Sequence, residues 1–122
     1  MTLSEQTHQR LIAERNMWFT TVRADGRPHM VPLWFVWFEE KLYFCVQPDS
    51  VKVRNLVQNP NVVVSLEDGS SVVICEGTAA DLPKPWADGI RDGFQTKYDW
   101  DITTENTYTL LIEVKPKKWL VW

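Results

Sequence analysis

Short apolar segments, separated by turn-forming residues at intervals of roughly ten positions, constrain the fold of this 122-residue chain most strongly. The first of them, residues 17–23 (MWFTTVR), is rich in β-branched and aromatic side chains, which favour strands. Asp25 and Gly26 follow it and supply the positive-φ positions of a tight hairpin turn. Six or seven short strands of this kind predict a closed or nearly closed antiparallel barrel, with residues 1–122 in one domain.

The remaining segments complete this pattern and leave room for three helices. Strands are predicted over residues 17–23, 29–38, 42–46, 61–66, 71–80 and 107–114, with Pro116 interrupting the last one. The first helix is predicted to begin after Thr2, because Thr2 and Glu5 have the spacing of a capping box, and to extend to about residue 15. The second helix begins at Ser50, and the third, with a looser pattern, lies within residues 82–101.

The charge and the N-terminal sequence limit the partners and the location of the protein. There are 13 lysines and arginines against 16 aspartates and glutamates, which gives a net charge of -3 and a pI of about 5.3. This balance disfavours nucleic acid as a partner, because no general positive field would hold a polyanion. Residues 1–16 are polar and lack the apolar stretch of a signal peptide, and no segment is apolar enough to span a membrane. We therefore expect a cytoplasmic protein.

Motifs for catalysis by protein side chains alone are missing. Cys45 and Cys75 each lie inside an apolar run, which predicts two reduced core residues rather than a disulfide. With two histidines and no further cysteine, no zinc-site spacing can be assembled. The sequence contains no nucleophile elbow, dinucleotide fingerprint or P-loop. If the protein is an enzyme, a bound cofactor is therefore expected to carry the reaction.

Tryptophan is unusually frequent, with seven residues in the chain. Each indole is a large flat surface that must be buried, stacked or placed at an interface. The interior of a small barrel cannot hold all of them. Trp34 and Trp37 lie on a strand that is predicted to border a flat ligand. The residues assigned to ordinary packing are Trp18, Trp86 and Trp100.

The segment after the third strand has the composition of a phosphate-binding helix start. Ser50, Lys52 and Arg54 place a hydroxyl and two cations in the first turns of a helix, where the free amides carry partial positive charge. The same residues also fit an ordinary capped helix with solvated charges. Strands 29–38 and 42–46 present backbone and aromatic surface near this helix start, as a flat heterocycle attached to a phosphate requires.

Four pieces of the sequence resemble the pyridoxamine 5'-phosphate oxidase-like, split-barrel flavin-binding superfamily, and within it the small proteins that use FMN or the deazaflavin F420. The pieces are DGRPHMVPLWF, LYFCV, SVKVRNLVQNPNVVVSL and EGTA, and the SxKxxNLxxNP pattern is the most specific of them. The resemblance implies a mainly β fold, a six-stranded antiparallel split β-barrel with two or three peripheral helices. It also implies an active homodimer with the cofactor in a groove at the dimer interface.

The resemblance further implies which residues contact the cofactor. The strand beside the flavin ring comprises His29, Met30, Val31, Pro32, Leu33 and Trp34. The second pair of ring contacts is Cys45 and Val46. Ser50 and Lys52 fall on the phosphate-binding positions, with Arg54 as a helper. Trp119 resembles the aromatic residue that the second subunit contributes, and Trp122 lies on the same C-terminal piece.

Departures from the family pattern narrow the predicted function. Val51 stands where true pyridoxamine-phosphate oxidases carry an arginine, and their basic C-terminal segment is missing, which disfavours pyridoxamine phosphate as the substrate. Val72 stands at the family's glutamine contact to the cofactor. The predicted function is that of an FMN-binding oxidoreductase that transfers hydride or electrons to a small acceptor. An F420-dependent reductase of the same fold and a non-catalytic flavin-binding protein are the alternatives. A barrel that binds single-stranded nucleic acid through its tryptophans is a third, which the acidic pI opposes.

Overall fold

The computed structural model describes residues 2–122 as one seven-stranded antiparallel sheet with three helices. In chain order the elements are α1 (Glu5–Ala13), β1 (Met17–Val22), β2 (Pro28–Leu33), β3 (Val36–Phe38), β4 (Lys41–Val46), α2 (Val51–Gln58), β5 (Asn61–Leu66), β6 (Val73–Asp81), α3 (Asp88–Tyr98) and β7 (Leu110–Val121). The strand order is β2-β1-β5-β6-β7-β4-β3, so β2 and β3 lie at opposite edges. Leu33 and Val36 are three residues apart, a reach of about 11 Å at most. The sheet must therefore curl until its edges nearly meet, which confirms the mainly β split-barrel prediction.

The predicted strand 29–38 is divided into β2 and β3, which raises the strand count from the expected six to seven. The division lies at Trp34 and Phe35. The Phe35 N–H donates to the Tyr98 hydroxyl at 2.9 Å, and the Lys97 ammonium donates to the Phe35 carbonyl at 3.0 Å. Because side chains of α3 satisfy these backbone groups, the strand pairing stops there without leaving a buried polar group unpaired.

The prediction that Pro116 interrupts the last strand is wrong, because β7 continues through this residue. The pairing of β6 with β7 shifts between Glu76 and Gly77: Glu76 faces Lys118, whereas Gly77 faces Pro116. Lys117 is the extra residue of the resulting β-bulge. The bulge lets the ladder resume beyond a residue that has no N–H to donate.

The first helix begins two residues later than the capping-box prediction from Thr2 and Glu5. Ser4 occupies the N-cap position, and its Oγ accepts a hydrogen bond from the Thr7 N–H at 3.1 Å. The other two helices lie where the sequence predicts them, after Ser50 and within residues 82–101. Among the helices of residues 2–122, none is long and apolar enough to cross a lipid bilayer.

Two apolar cores hold these elements together. The larger core fills the barrel, where Phe19, Phe35 and Phe44 are fully buried. The second core lies between α3 and the outside of β3 and β4, and it includes Ile90 and Phe94. Each fully buried side chain of this size contributes about 1.5–3 kcal/mol relative to an exposed one. The second core therefore fixes α3 beside the division between β2 and β3.

Candidate functional site

The start of α2 carries a buried hydroxyl group with no hydrogen-bond partner among the described residues. Ser50 occupies the N-cap position with an extended backbone (φ -72°, ψ 159°), yet its side chain does not cap the helix. Its Oγ is shielded from solvent and unpaired within residues 2–122. A buried polar group that lacks a partner costs about 1–3 kcal/mol. The hydroxyl is thus free to bind a ligand at the open amides of the first turn.

Lys52, in the first turn of α2, lies near two further basic side chains, His29 and Arg23. Lys52 is half-buried and forms no ion pair within residues 2–122, and burial lowers the pKa of its ammonium group. Arg23 places Nη2 3.3 Å from His29 Nδ1. Burial lowers the pKa of His29, and the nearby charges of Arg23 and Lys52 lower it further. We call Arg23, His29, Ser50 and Lys52 the anion site.

Arg23 is the member of the anion site that sequence reasoning missed. It follows β1 directly, and the antiparallel register of the hairpin pairs Thr21 with His29, which brings Arg23 across from the start of β2. Its Nη1 also donates to the Pro28 carbonyl at 2.8 Å. The hairpin prediction at Asp25 and Gly26 was the available signal, because the two arms of a hairpin lie opposite each other. The turn itself has three residues, 24–26, rather than two, and within it Gly26 alone has a positive φ, of 91°.

A buried hydrogen bond holds α2 in position. Asn55 donates from Nδ2 to Thr21 Oγ1 at 2.9 Å, and both residues are buried. This bond ties the helix to β1 and therefore to the hairpin that completes the anion site. Arg54 is exposed, and its Nη1 donates to the Asp49 carbonyl at 2.6 Å. Its role as a phosphate helper stays a prediction.

A cavity of about 600 Å³, which we call the aromatic cavity, opens at the other end of β2. It is lined by Pro32, Leu33, Trp34, Cys45, Tyr98, Asp99, Trp100, Glu105 and Tyr108. Trp34 stacks on Tyr98 with the ring centroids 4.4 Å apart and the planes 7° from parallel. Trp100 meets Trp34 edge-on at 6.0 Å. These contacts hold flat ring surfaces in fixed orientations around the cavity.

Residues 98–108, for which the sequence indicated no function, form the far wall of the aromatic cavity. Trp100, which was assigned to ordinary packing, packs edge-on against Phe94 at 5.5 Å and in addition lines the cavity. Tyr108 meets Trp100 edge-on at 6.1 Å on the other side. These residues come to the cavity because α3 docks on the barrel, and that docking has no local signature in the sequence.

β2 connects the anion site to the aromatic cavity. His29 belongs to the anion site, whereas Leu33 and Trp34 line the cavity. Five residue steps along an extended strand span about 16 Å. A flat ring joined through a flexible chain to a phosphate can bridge such a distance. Residues 29, 31 and 33 share one face of the strand, because successive side chains alternate.

Three of the predicted cofactor contacts have side chains directed elsewhere. Met30 lies on the opposite face of β2 from His29 and is 57% exposed. Val46 is 1% exposed and belongs to the barrel core, which leaves its backbone alone for a ligand. Trp119 is half-buried and packs edge-on against Trp37 at 5.7 Å. The contribution of Trp119 to a second subunit stays a prediction.

Cys45 lines the aromatic cavity as a protonated thiol. Burial, reinforced by the negative charge of Glu105, raises the pKa of Cys45 to about 12. A thiol in this state is not a nucleophile at neutral pH. Cys45 and Cys75 are both buried and free, which confirms the prediction of two reduced core residues.

Two neighbouring residues of α3 hold the Trp34 wall in place. The Tyr98 hydroxyl accepts from Phe35 N–H at 2.9 Å and donates to the Arg15 carbonyl at 2.7 Å. Lys97 Nζ donates to the Phe35 carbonyl at 3.0 Å. Burial, with a smaller contribution from the Arg15 charge, lowers the pKa of Lys97 to about 7.

Replacement of Lys97 by methionine is expected to flatten the increase of stability with pH between pH 7 and 8.5. In this window the folded protein loses the Lys97 proton, whereas the unfolded chain, with a lysine pKa of 10.5, keeps it. Stability therefore rises with pH, by about 1 kcal/mol once the partial exposure of the side chain is allowed for. The negative charge of Glu14 opposes this shift of the Lys97 pKa.

Urea denaturation of the wild type and Lys97→Met at four pH values from 7 to 8.5 measures this effect. The difference between the two profiles cancels the contributions of groups that they share. Lys41→Met, at the start of β4, serves as the control and should retain the wild-type slope. Parallel profiles for the wild type and Lys97→Met would show that Lys97 titrates normally.

Comparisons with known proteins agree with the split-barrel fold. Residues 3–122 match the family described as Pyridoxamine 5'-phosphate oxidase. No curated protein sequence is significantly similar to the chain. Among solved structures, an F420 reductase is 25% identical with a TM-score of 0.77, and the match covers 97% of this chain and 98% of that one.

Two further solved structures share the fold. HutZ, the heme storage protein from Vibrio cholerae, is 17% identical with a TM-score of 0.78, over 99% of this chain and 95% of that one. A FAD-binding protein from Mesorhizobium loti is 20% identical with a TM-score of 0.69, over 98% of this chain and 94% of that one. Because the family match spans almost the whole sequence, the chain belongs to the pyridoxamine 5'-phosphate oxidase family.

Proposed function

We propose that this protein binds a flavin-type cofactor between the anion site and the aromatic cavity and acts as an oxidoreductase on a small acceptor. The observation that carries the proposal is the buried, unpaired Ser50 hydroxyl beside the uncompensated Lys52. A phosphate group would accept hydrogen bonds from this hydroxyl and from the open helix amides, and it would balance the lysine charge. FMN and F420 both carry a phosphate on a chain that leads to a flat ring system.

We call the anion site, β2 and the aromatic cavity together the groove. Different side chains of the groove would contact the phosphate and the ring of such a cofactor. Ser50 and Lys52 would bind the phosphate, and Arg23 would add a second permanent charge. Leu33 and the neutral thiol of Cys45 would lie along the ring and exclude water from it. The bound cofactor would supply the hydride or electron transfer, and the protein would supply position and electrostatics.

FMN is our first choice of cofactor and F420 the second. Arg23 and Lys52 together balance one dianionic phosphate, which is all that FMN presents. The long acidic tail of F420 calls for further cations along the rim, and Arg27 in the same hairpin is already paired with Asp25 at 2.8 Å. In favour of F420 stands the likeness to an F420 reductase over nearly the full length of both chains.

A homodimer with the groove at its interface is part of the proposal. The outer face of β2, β1 and β5 is apolar, with Met30 57%, Val63 39% and Trp18 37% exposed. Thr20 pairs with Met30 on one side and with Val63 on the other, so these side chains form one continuous surface. Contiguous apolar surface on a small domain favours association. Because β2 borders both this face and the groove, a second copy seated here would lie beside the cofactor.

Separate titrations with FMN and with F420 test the proposal. We expect quenching of tryptophan fluorescence on addition of FMN, and sedimentation of the loaded protein as a dimer. Binding of F420 alone would transfer the function to the deazaflavin branch, and binding of neither would refute it. Loaded protein that fails to oxidise reduced nicotinamide with any small acceptor would support a non-catalytic flavin-binding role. As an oxidoreductase that uses reduced nicotinamides, the protein would act in the cytoplasm, where these donors are available.

A further inference from the structure

The walls of the aromatic cavity combine flat rings with negative charge. Glu105 is half-buried and lines the cavity, and within residues 2–122 it forms no hydrogen bond or ion pair. Asp99 lies on the same wall, and its Oδ1 accepts from Gln95 Nε2 at 2.9 Å. No lysine, arginine or histidine is among the described residues that line the cavity. The cavity is therefore aromatic and acidic.

Charged side chains of both signs lie near Cys45. Burial raises the pKa of its thiol, the negative charge of Glu105 raises it further, and Lys84 lowers it by a smaller amount. Two further cations lie near the Tyr98 ring: Arg15 is 4.9 Å from it and 5.7 Å from the Trp34 ring, and the Lys97 Nζ is 5.4 Å from the Tyr98 ring. Because the Trp34 and Tyr98 rings are 4.4 Å apart and Arg15 is nearer to Tyr98, the guanidinium lies on the Tyr98 side of the pair, and Trp34 remains 44% exposed.

We infer that the aromatic cavity binds a flat heteroaromatic cation of the N-alkylpyridinium type and discriminates against anions of the same shape. Such a ring would stack on the exposed face of Trp34, with the edge of Trp100 beside it. A positive ring is attracted both by the aromatic faces and by Glu105. An anionic ring would face the same carboxylate at the cost of like-charge repulsion. This inference builds on the proposed function, because it names the class of small molecule that would meet the cofactor in the groove.

Three pyridines of similar size and different charge test the inference. 1-Methylnicotinamide is a cation, nicotinamide is neutral and nicotinate is an anion at pH 7.5. Calorimetric titration of the wild type is expected to give the tightest binding for 1-methylnicotinamide and binding at least about tenfold weaker for nicotinate. Glu105→Gln keeps the size of the side chain and should reduce the preference for the cation to about threefold or less. Glu67→Gln, in the exposed turn after β5, removes the same charge elsewhere and should retain the full preference.

Each other outcome overturns the inference. Equal affinities, a preference for nicotinate, absence of binding for all three compounds, or an equal effect of both glutamine variants would each contradict it. The titrations are run with and without FMN, and FMN binding is measured separately. A protein that keeps the cation preference and fails to bind FMN or F420 refutes the proposed function alone. One that binds the cofactor without any charge preference refutes the inference alone.

Discussion

Replacement of Lys52 by methionine is expected to weaken FMN binding by about 1.5–3 kcal/mol, roughly a 10- to 100-fold loss of affinity. The ammonium group is half-buried at the helix start, and no acidic side chain of residues 2–122 forms an ion pair with it. Its charge is therefore available to a phosphate. Methionine preserves the length of the aliphatic stem, so the change removes the charge with little loss of packing.

A fluorescence titration with FMN measures this loss of affinity, with F420 titrated in parallel. Lys41→Met removes a lysine at the start of β4, outside the anion site, and should bind FMN with wild-type affinity. Unchanged affinity of Lys52→Met would mean that the phosphate lies elsewhere, and Arg54 would be the next residue to replace.

Replacement of Ser50 by alanine separates ligand binding from helix capping. Because the Ser50 hydroxyl makes no cap hydrogen bond and is unpaired, its removal should raise the stability of the free protein by about 1 kcal/mol. The same change should weaken cofactor binding. An ordinary N-cap serine would instead lose stability on this replacement, by about 1 kcal/mol. The signs of the two effects thus distinguish a ligand-binding serine from a structural one.

Replacement of Gly77 by alanine is expected to lower the free energy of unfolding by about 2–4 kcal/mol. A Cβ at this position would lie 2.5 Å from the Lys115 carbonyl oxygen and 3.1 Å from Val114 Cγ1. The oxygen belongs to the backbone of the longest strand, so it cannot move without disturbing the β6–β7 pairing. Overpacking of this kind is not relieved by a change of rotamer.

Urea denaturation at pH 7 measures this loss, and Gly69→Ala provides the matched control. A Cβ on Gly69 meets nothing within 4 Å, so the same chemical change should alter stability by less than about 0.5 kcal/mol. Equal stabilities of the two variants would show that the bulge relaxes to accept a side chain. Disruption of the bulge by a Gly77 side chain would also disturb the packing of Trp119 on Trp37, because the bulge carries β7 past Pro116 to Trp119.

Features with a local cause were predictable from the sequence. Asp25 and Gly26 predicted the hairpin, and the alternation of apolar residues predicted most strands within a few positions. Ser50 at a helix start was predictable, because the residues around it end a strand and favour a cap. The resemblance to the family rested on the same local pieces, and the family match over residues 3–122 confirms it.

Features that depend on distant residues were not predictable. The division between β2 and β3 follows from Tyr98 and Lys97, more than sixty positions along the chain. The passage of β7 through Pro116 depends on the bulge opposite Gly77 on another strand. In both places the backbone hydrogen bonding is decided by a partner that the local sequence does not contain.

The sequence by itself determined a β-rich chain with a helix start suited to a phosphate, because turn chemistry, capping and alternation act between neighbouring residues. Only the tertiary structure decided that Arg23 and Lys52 both lie near His29, and that Trp34, Trp100 and Glu105 line one cavity. The physical reason is the docking of α3 and the curl of the sheet, which depend on burial of two apolar cores. Burial of this kind is a property of the whole chain.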